Sequence, residues 1–309
     1  MTSTTRRLLK VGVQLPEVER EVRWPELLDM IRALEDGGFD SIWLGEHLLY
    51  RWTDRPEPAG PWEAWSMLSA IAAATTRVEF GPLVACTGFH NPALLAKQAS
   101  TIDEISGGRL ILGLGAGWNE TEFRAFGFPF DHRVDRFEEA FTIIRTLLRE
   151  GAIDFDGRFY QARDCELRPR GPRPEGPPLL IGSNGPRMLR ITMPHADAWN
   201  SWYADIDNTP AGIAPLRDIV DEACRSVGRD PSEIERTVAV LVRLPGGTGR
   251  LQGDYAAQSR IRPLEGSATE MADALRAYAA EGIGHVQLVV DPITRASIDA
   301  LVPVLRALD

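Results

Sequence analysis

The chain has 309 residues, of which 44% are hydrophobic and 25% charged, as in an ordinary globular protein. Its formal net charge of −10 argues against nucleic acid or an anionic membrane as a general partner. Cys86, Cys165 and Cys224 show no paired spacing, so we expect neither a disulfide scaffold nor a zinc site with cysteine ligands. The first residues pass into a strand pattern without a long apolar segment, and we expect a cytoplasmic protein.

Apolar runs typical of buried strands alternate with amphipathic helical patterns along the whole chain. The predicted strand and helix pairs are, in order, 9–16 with 24–38, 39–48 with 63–75, 77–85 with 92–106, 109–117 with 133–151, 177–185 with 187–196, 197–204 with 212–228, 236–245 with 268–282, and 285–292 with 295–308. Eight such pairs without a linker predict one (β/α)8 TIM barrel, a single domain over residues 1–309.

Two insertions interrupt this alternation. Residues 154–176, before the fifth strand, are rich in turn residues and arginine and predict a strand pair with a loop. Residues 246–266, after the seventh strand, form a loop of the length that is typical of lids and binding loops. The sequence does not decide whether this second insertion is a lid.

The fourth predicted strand ends in three alternate glycines, Gly113, Gly115 and Gly117, followed by Trp118. A dinucleotide-binding fingerprint would require a glycine at position 118 and a helix directly after it, so that interpretation does not fit. In a barrel, the carboxyl ends of the strands build the active site, and glycines there let a flat ligand lie against the backbone. The alternative is that these glycines only fit a tight corner of the barrel.

Three stretches, "GGRLILGLGAGWNETEFRAFG", "GFDSIWLGEHL" and "HNPALLAKQASTIDEISGGR", together resemble the bacterial luciferase-like superfamily of flavin and deazaflavin oxidoreductases. The similarity extends over nearly the whole chain, including the ending "YAAEGIGHVQLVVDP". The resemblance implies an eight-stranded barrel that holds a cofactor ring at its carboxyl-end mouth. We further expect a small-molecule substrate and a homodimer.

His47 and Glu46 are the catalytic candidates. They follow the second predicted strand, where a histidine beside a carboxylate can exchange protons near neutral pH. From the residues alone, a buried structural histidine fits equally well. The resemblance implies that His47 faces the ring as acid or base and that Glu46 contacts the cofactor.

The resemblance also implies cofactor contacts at three further strand ends. Leu83 and Val84 would be joined by a non-proline cis peptide bond behind the ring, and the glycine turn at 182–185 would bind the cofactor phosphate with help from Arg133 or Arg136. From the residues alone, that turn is equally a simple helix cap, and the two arginines a solvated helix face. The cofactor-binding candidates are Leu83, Val84, Ala85, Gly115, Gly117, Trp118, Asn119, Arg133, Gly182, Ser183, Asn184 and Gly185.

Two tryptophans near strand ends, Trp52 and Trp118, are the candidates for the wall of the substrate pocket. The remaining histidines show no paired ligand spacing, so we expect no metal site. Lys10 and Lys97 are the only lysines, and neither follows a late strand. A phosphate-bearing substrate is therefore not expected.

Coenzyme F420 and FMN both suit the resembled fold. In the flavin branch an arginine often meets the phosphate at the position held here by Ala116, and this departure favours coenzyme F420. The predicted activity is hydride transfer between the deazaflavin C5 and a small organic substrate, with His47 moving the proton. The alternatives are an FMN-dependent, oxygen-using monooxygenase and a cofactor-binding protein without turnover.

The arginines of the first insertion suggest a further contact. Arg163, Arg168, Arg170 and Arg173 cluster in an otherwise acidic chain, shortly before Gly182. Coenzyme F420 carries a polyanionic tail beyond its phosphodiester, and a basic loop could bind it through exposed, salt-screened contacts. Arginines that only keep a hairpin soluble are the alternative.

Overall fold

The structure is a computed structural model that describes residues 7–52, 57–249 and 261–309. Its strands are β1 (Lys10–Gln14), β2 (Ser41–Leu44), β3 (Glu79–Pro82), β4 (Ala85–Cys86), β5 (Leu112–Gly115), β6 (Ala152–Asp156), β7 (Gln161–Glu166), β8 (Leu179–Ile181), β9 (Ala198–Ser201), β10 (Glu235–Arg243) and β11 (His285–Asp291). Its α-helices are α1 (Trp24–Asp36), α2 (Ala64–Ala74), α3 (Pro92–Ser106), α4 (Glu120–Phe126), α5 (Arg133–Glu150), α6 (Pro186–Thr192), α7 (Ile213–Ser226), α8 (Ala268–Ala280) and α9 (Arg295–Leu308).

Nine of these strands form one parallel sheet in the order β3-β2-β1-β11-β10-β9-β8-β5-β4. Its two edge strands, β3 and β4, are the two halves of the third predicted strand. The amide of Phe80 in β3 donates to the Arg109 carbonyl, and the Ile111 amide donates back to the Phe80 carbonyl at 2.8 Å. Because β4 also pairs with β5, the sheet closes into the predicted TIM barrel.

Eight strand–helix pairs are present, as the alternation predicts. The barrel strands are buried on both faces, since helices cover the outside and side chains fill the inside. Trp43 occupies the interior, where its indole N–H donates to Ser41 Oγ at 2.7 Å. A Cβ at Gly12 would lie 2.8 Å from Trp43 Nε1 and one at Gly81 3.3 Å from its Cζ3, so these glycines make room for the ring.

Local signals set the helix ends. Asn91 caps α3, its side chain accepting from the Leu94 amide, and Gly107 ends the helix with φ +68°. At α8, Ser267 and Glu270 form a capping box. None of the helices in the described residues is both long and apolar enough to cross a membrane.

The two insertions and helix α4 depart from the regular alternation of strands and helices. In the first insertion β6 and β7 pair antiparallel, the strand pair that the composition predicts. The second insertion is described only outside residues 250–260, so its interpretation as a lid lies outside the described residues. Helix α4 is not predicted: two acidic residues in its first turn and Gly127 at φ +79° stabilise seven residues that look like an irregular aromatic turn.

Candidate active site

A cavity of about 600 Å³ opens where the barrel strands end, within the range of roughly 300–1,000 Å³ that is usual for ligand sites. Its walls come from β4 and from the carboxyl ends of β1, β2, β3, β5, β8 and β9 with the segments that follow them, because the carboxyl ends of parallel strands meet at one mouth. Polar side chains gather on the side of β1 and β2, and small or apolar residues on the side of β4, β5 and β8.

His47 lies on the polar side of the cavity, with 16% of its side chain exposed. Its Nδ1 is 2.9 Å from Oε1 of Glu122, a buried carboxylate on α4. A carboxylate only accepts hydrogen bonds, so Nδ1 carries the proton of this pair. The second Glu122 oxygen accepts from the Leu48 amide at 2.8 Å, which fixes the carboxylate against the segment that bears His47.

A second carboxylate approaches the other nitrogen of the ring. His47 Nε2 is 3.7 Å from Oε1 of Glu17, which follows β1 and is buried. Glu17 in turn accepts from the Tyr50 hydroxyl at 3.1 Å and from Gln14 Nε2 at 3.2 Å. His47 therefore sits between two carboxylates that other groups hold in place.

These carboxylates change the protonation of the imidazole. Burial alone would lower the pKa of His47, but the hydrogen bond that its Nδ1–H donates to Glu122 and the charges of Glu17 and Glu122 outweigh it and raise the pKa above its ordinary value. The imidazolium form is thus favoured in the cavity.

The Glu46 carboxylate is bonded to groups other than His47. Although it lines the cavity, its carboxylate accepts from the Trp65 indole at 2.8 Å and the Cys86 amide at 2.6 Å, and it pairs with His90 Nε2 at 2.7 Å. The carboxylate bonded to His47 is Glu122 instead. Glu46 ties the end of β2 to β4 and α2, and the catalytic role expected for it stays a prediction.

The apolar side of the cavity has a flat floor. The Leu83–Val84 peptide bond is cis, as the resemblance implies, and both residues line the cavity with Ala85. A Cβ at Gly115 would lie 2.8 Å from Val84 Cγ2, and one at Gly182 would lie 3.0 Å from Val84 Cγ1. Side chains at either glycine would push Val84 into the cavity, so the glycines keep this surface level.

The turn after β5 carries three predicted cofactor contacts, of which two line the cavity. Gly117, with φ +76°, and Trp118 line the cavity, and a Cβ at Gly117 would lie 2.8 Å from the Phe123 ring. Asn119 does not belong to the described lining of the cavity: its side-chain amide donates to the Leu49 carbonyl at 3.1 Å. Helix α4 starts there and turns the side chain toward the loop after β2, and the place of Asn119 near the ring stays a prediction.

The predicted phosphate-binding turn, residues 182–185, lines the cavity only in part. Gly182 and Ser183 line the cavity together with Arg133, whose guanidinium donates to the Gly117 carbonyl at 3.0 Å. Asn184 instead donates to Asp205 at 3.0 Å, and neither it nor Gly185 belongs to the described cavity lining. The structure thus places Gly182, Ser183 and Arg133 at the cavity, and cofactor binding by Asn184 and Gly185 stays a prediction.

An aromatic group closes the polar side. Trp118 is 53% exposed at the rim, and its ring centroid lies 5.6 Å from that of His47. Tyr50 packs against His47 with 4.6 Å between centroids. Trp52 stacks on Tyr50 at 5.5 Å and is not part of the described lining, so it supports the wall rather than forming it.

A sequence profile of the luciferase-like monooxygenase family matches residues 8–244. The chain belongs to this family. It is 30% identical to 5,10-methylenetetrahydromethanopterin reductase from Archaeoglobus fulgidus over 76% of its own length and 69% of that protein. It is 33% identical to pyrimidine monooxygenase RutA from Rhizobium rhizogenes over 67% of its length, and it spans about half (53%) of that relative.

Solved structures share the luciferase-like fold. An F420-dependent secondary alcohol dehydrogenase with an F420–acetone adduct superposes with a TM-score of 0.80 at 20% identity, over 97% of this chain and 99% of that one. An FMN complex of a type II Baeyer–Villiger monooxygenase from Pseudomonas putida superposes with a TM-score of 0.72 at 16% identity, over 97% and 98%. The first of these structures holds F420 and the second holds FMN, and at these identities the two show the fold of this chain.

Arg168, Arg170 and Arg173 of the first insertion lie at the opposite end of the luciferase-like barrel from the cavity, whereas Arg163 pairs with Asp156 near the tip of the β6–β7 hairpin. Arg170 donates to the carbonyls of Leu148 and Arg149, at the end of α5, and Arg173 pairs with Asp103. Arg168 pairs with its neighbour Glu166. Since helices end at the amino side of the barrel strands, these side chains are remote from Gly182, and the expected contact with the cofactor tail is wrong.

Three residues of the site were not predicted: Glu17, Tyr50 and Glu122. Glu17 follows a barrel strand by three residues, a position where carboxylates commonly serve the mouth, and this signal was available in the sequence. Glu122 lies on the helix that was not predicted. Among the residues that the structure describes, no group of three or more His, Cys, Asp or Glu side chains is arranged to hold a metal ion.

Proposed function

We propose that this protein is a coenzyme F420-dependent oxidoreductase that transfers a hydride between the deazaflavin and a small organic substrate. The observation that carries the proposal is the pair of His47 and Glu122, 2.9 Å apart at the rim of a cavity with a flat glycine floor. A hydride carrier needs a partner that moves one proton, and a carboxylate-bound imidazolium is suited to that task.

The residues present fit a planar ring. Gly115 and Gly182 flank Val84 and leave no side chain above it, so a flat group can rest on this surface. Arg133 and the Ser183 hydroxyl, which both line the cavity, are the polar groups that would meet a phosphate.

The chemistry divides between cofactor and protein. When bound, the deazaflavin supplies or accepts a hydride at C5 and, unlike a flavin, reacts poorly with oxygen. In the direction of reduction, Nε2–H of His47 protonates the substrate atom that gains the electron pair, while Glu122 holds the ring through Nδ1. Glu17 stabilises the cationic ring before transfer, and Tyr50 orients Glu17. The surrounding apolar side chains exclude water.

An FMN-dependent monooxygenase is the second candidate. The identity to a pyrimidine monooxygenase over 67% of the chain favours it. Against it stands Ala116 at the cavity, where the flavin branch often has an arginine for the phosphate. A protein that binds the cofactor without turnover is the third possibility that the experiment addresses.

Titration of the purified protein with coenzyme F420 and with FMN, followed by fluorescence, tests the proposal. We expect coenzyme F420 to bind at least tenfold more tightly, a difference of about 1.4 kcal/mol. Anaerobic mixing of the reduced F420 complex with ketones should then restore the absorbance of the oxidised deazaflavin. Tighter FMN binding with oxygen consumption would establish the monooxygenase, and F420 binding without any substrate-dependent oxidation would establish a non-catalytic binder.

A further inference from the structure

Three aromatic side chains line the cavity: Tyr50 and Trp118 pack beside His47, and Trp202 packs in the cluster of Leu83 and Val84. Tyr50 is buried, Trp202 is half-buried, and Trp118 is 53% exposed although it lies directly beside His47. Trp202 packs against Tyr203 with 4.7 Å between ring centroids, which holds it at its place after β9. A ligand that reaches His47 therefore passes between aromatic surfaces.

Trp118 is held at the rim by its neighbours. Gly117 occupies a left-handed conformation with φ +76°, and a Cβ there would lie 2.8 Å from the Phe123 ring. The Gly117 carbonyl also accepts from Arg133 at 3.0 Å. The loop thus presents the indole in a fixed position, tilted by 68° to the His47 ring and by 50° to the Tyr50 ring. Its exposed face is a preformed surface for a flat apolar group.

Charge limits what can occupy this space. Apart from His47, Arg133 is the cation among the described lining residues, and its guanidinium already donates to the Gly117 carbonyl and lies 4.1 Å from the Phe130 ring centroid. The carboxylates Glu46 and Glu122 line the same cavity. An anionic substrate would lose hydration there and gain no dedicated counter-charge from the described lining.

We infer that Trp118 determines specificity and that the substrate is an uncharged carbonyl compound with a flat, apolar group next to the carbonyl. The inference rests on the proposed function. The flat group lies against the Trp118 indole and places the carbonyl oxygen at His47. On reduction, the carbonyl π bond breaks, the carbon gains a hydride from reduced coenzyme F420, and the oxygen gains the proton of His47 Nε2. The product is a secondary alcohol, and the deazaflavin is oxidised by two electrons.

Calorimetric binding to the F420 complex tests this with three probes: acetophenone, 2-butanone and the anion 4-acetylbenzoate. We expect acetophenone to bind about three- to tenfold more tightly than 2-butanone, the range typical of one aromatic contact. 4-Acetylbenzoate should bind at least about tenfold more weakly than acetophenone. Trp118→Ala should abolish the preference for acetophenone over 2-butanone, and Trp118→Phe should restore most of it.

Trp24→Ala is the matched control, because Trp24 is 38% exposed on α1 and does not line the cavity. It should leave all three affinities unchanged. Equal binding of the anion, or an acetophenone preference that survives Trp118→Ala, would contradict the inference, as would the absence of acetophenone binding. The same series with FMN-loaded protein tests Trp118 even where coenzyme F420 fails to bind, so failure of the proposed function is recognised separately.

Discussion

The imidazole of His47 and the carboxylate of Glu122 meet across 75 residues of sequence, with 2.9 Å between Nδ1 and Oε1. Both groups are largely withdrawn from water, and a second carboxylate, Glu17, stands 3.7 Å from Nε2. This arrangement raises the pKa of His47 above its ordinary value.

The protonation of His47 predicts the pH dependence of turnover. The pKa of His47 is raised above its ordinary value of 6.5, so ketone reduction should be constant at low pH and fall as the pH rises through the raised pKa. Glu122→Gln removes one negative charge while keeping an acceptor for the Leu48 amide, and it should move this fall to lower pH. The pH profile of kcat/KM measures the shift.

Glu120→Gln is the control for this experiment, since Glu120 lies on the same helix but is exposed. Its profile should match that of the unchanged protein. An identical profile for Glu122→Gln would show that Glu122 does not set the protonation of His47.

The flat floor predicts a steric effect on cofactor binding. Gly115→Ala places a Cβ 2.8 Å from Val84 Cγ2, so Val84 has to move into the cavity. Overpacking of this kind should weaken cofactor binding by about tenfold or more. Gly284→Ala is the control, because the nearest atom to its Cβ, Glu235 Oε1, is 3.6 Å away at the other end of the barrel. Fluorescence titration of both variants with the cofactor measures this effect. An unchanged affinity in Gly115→Ala would show that the cofactor ring does not rest on the surface at Val84.

A buried histidine inside the barrel predicts acid sensitivity of the fold. Burial, with a smaller effect of Lys10, lowers the pKa of His285 to about 3, and the neutral ring bonds to Ser41 Oγ at 2.7 Å. The unfolded chain binds a proton near pH 6.5, so the contribution of His285 to stability is complete above that pH and is lost progressively as the pH falls toward 3.

Urea unfolding at pH 7 and pH 5 measures this contribution. The free energy of unfolding should fall by about 2 kcal/mol more in the unchanged protein than in His285→Gln, since the slope is about 1.4 kcal/mol per pH unit below 6.5. His132→Gln, at a partly exposed position, should retain the fall of the unchanged protein. Equal pH dependence in His285→Gln would refute the assignment.

The barrel could be predicted because its signals are local. Strands buried on both faces appear as apolar runs such as the one in β11, and amphipathic helices such as α5 follow a 3.6-residue period. Helix α4 escaped prediction because seven residues are too short for such a period and because Phe123 and Phe126 resemble an aromatic loop.

Sequence patterns predict the site only where residues that are close in sequence are also close in space. His47 stands at a strand end and was identified, but its carboxylate partner was sought at Glu46. Glu46 and His47 follow one another in sequence, yet the Glu46 carboxylate accepts from the Cys86 amide and the Trp65 indole while the His47 ring bonds to Glu122. The pairing with Glu122 depends on how two loops meet, which no local pattern encodes.

The most direct measurement is the turnover of His47→Asn in the reduced F420 complex, set beside its affinity for the cofactor. The proposed mechanism predicts that turnover of a ketone falls by roughly 10²- to 10⁴-fold, because no other group delivers the proton. Cofactor affinity should stay within about twofold, because the floor at Val84 and the polar groups at Ser183 and Arg133 are untouched. Unchanged turnover, or an equal loss of binding and turnover, would contradict the role of His47 as the proton donor.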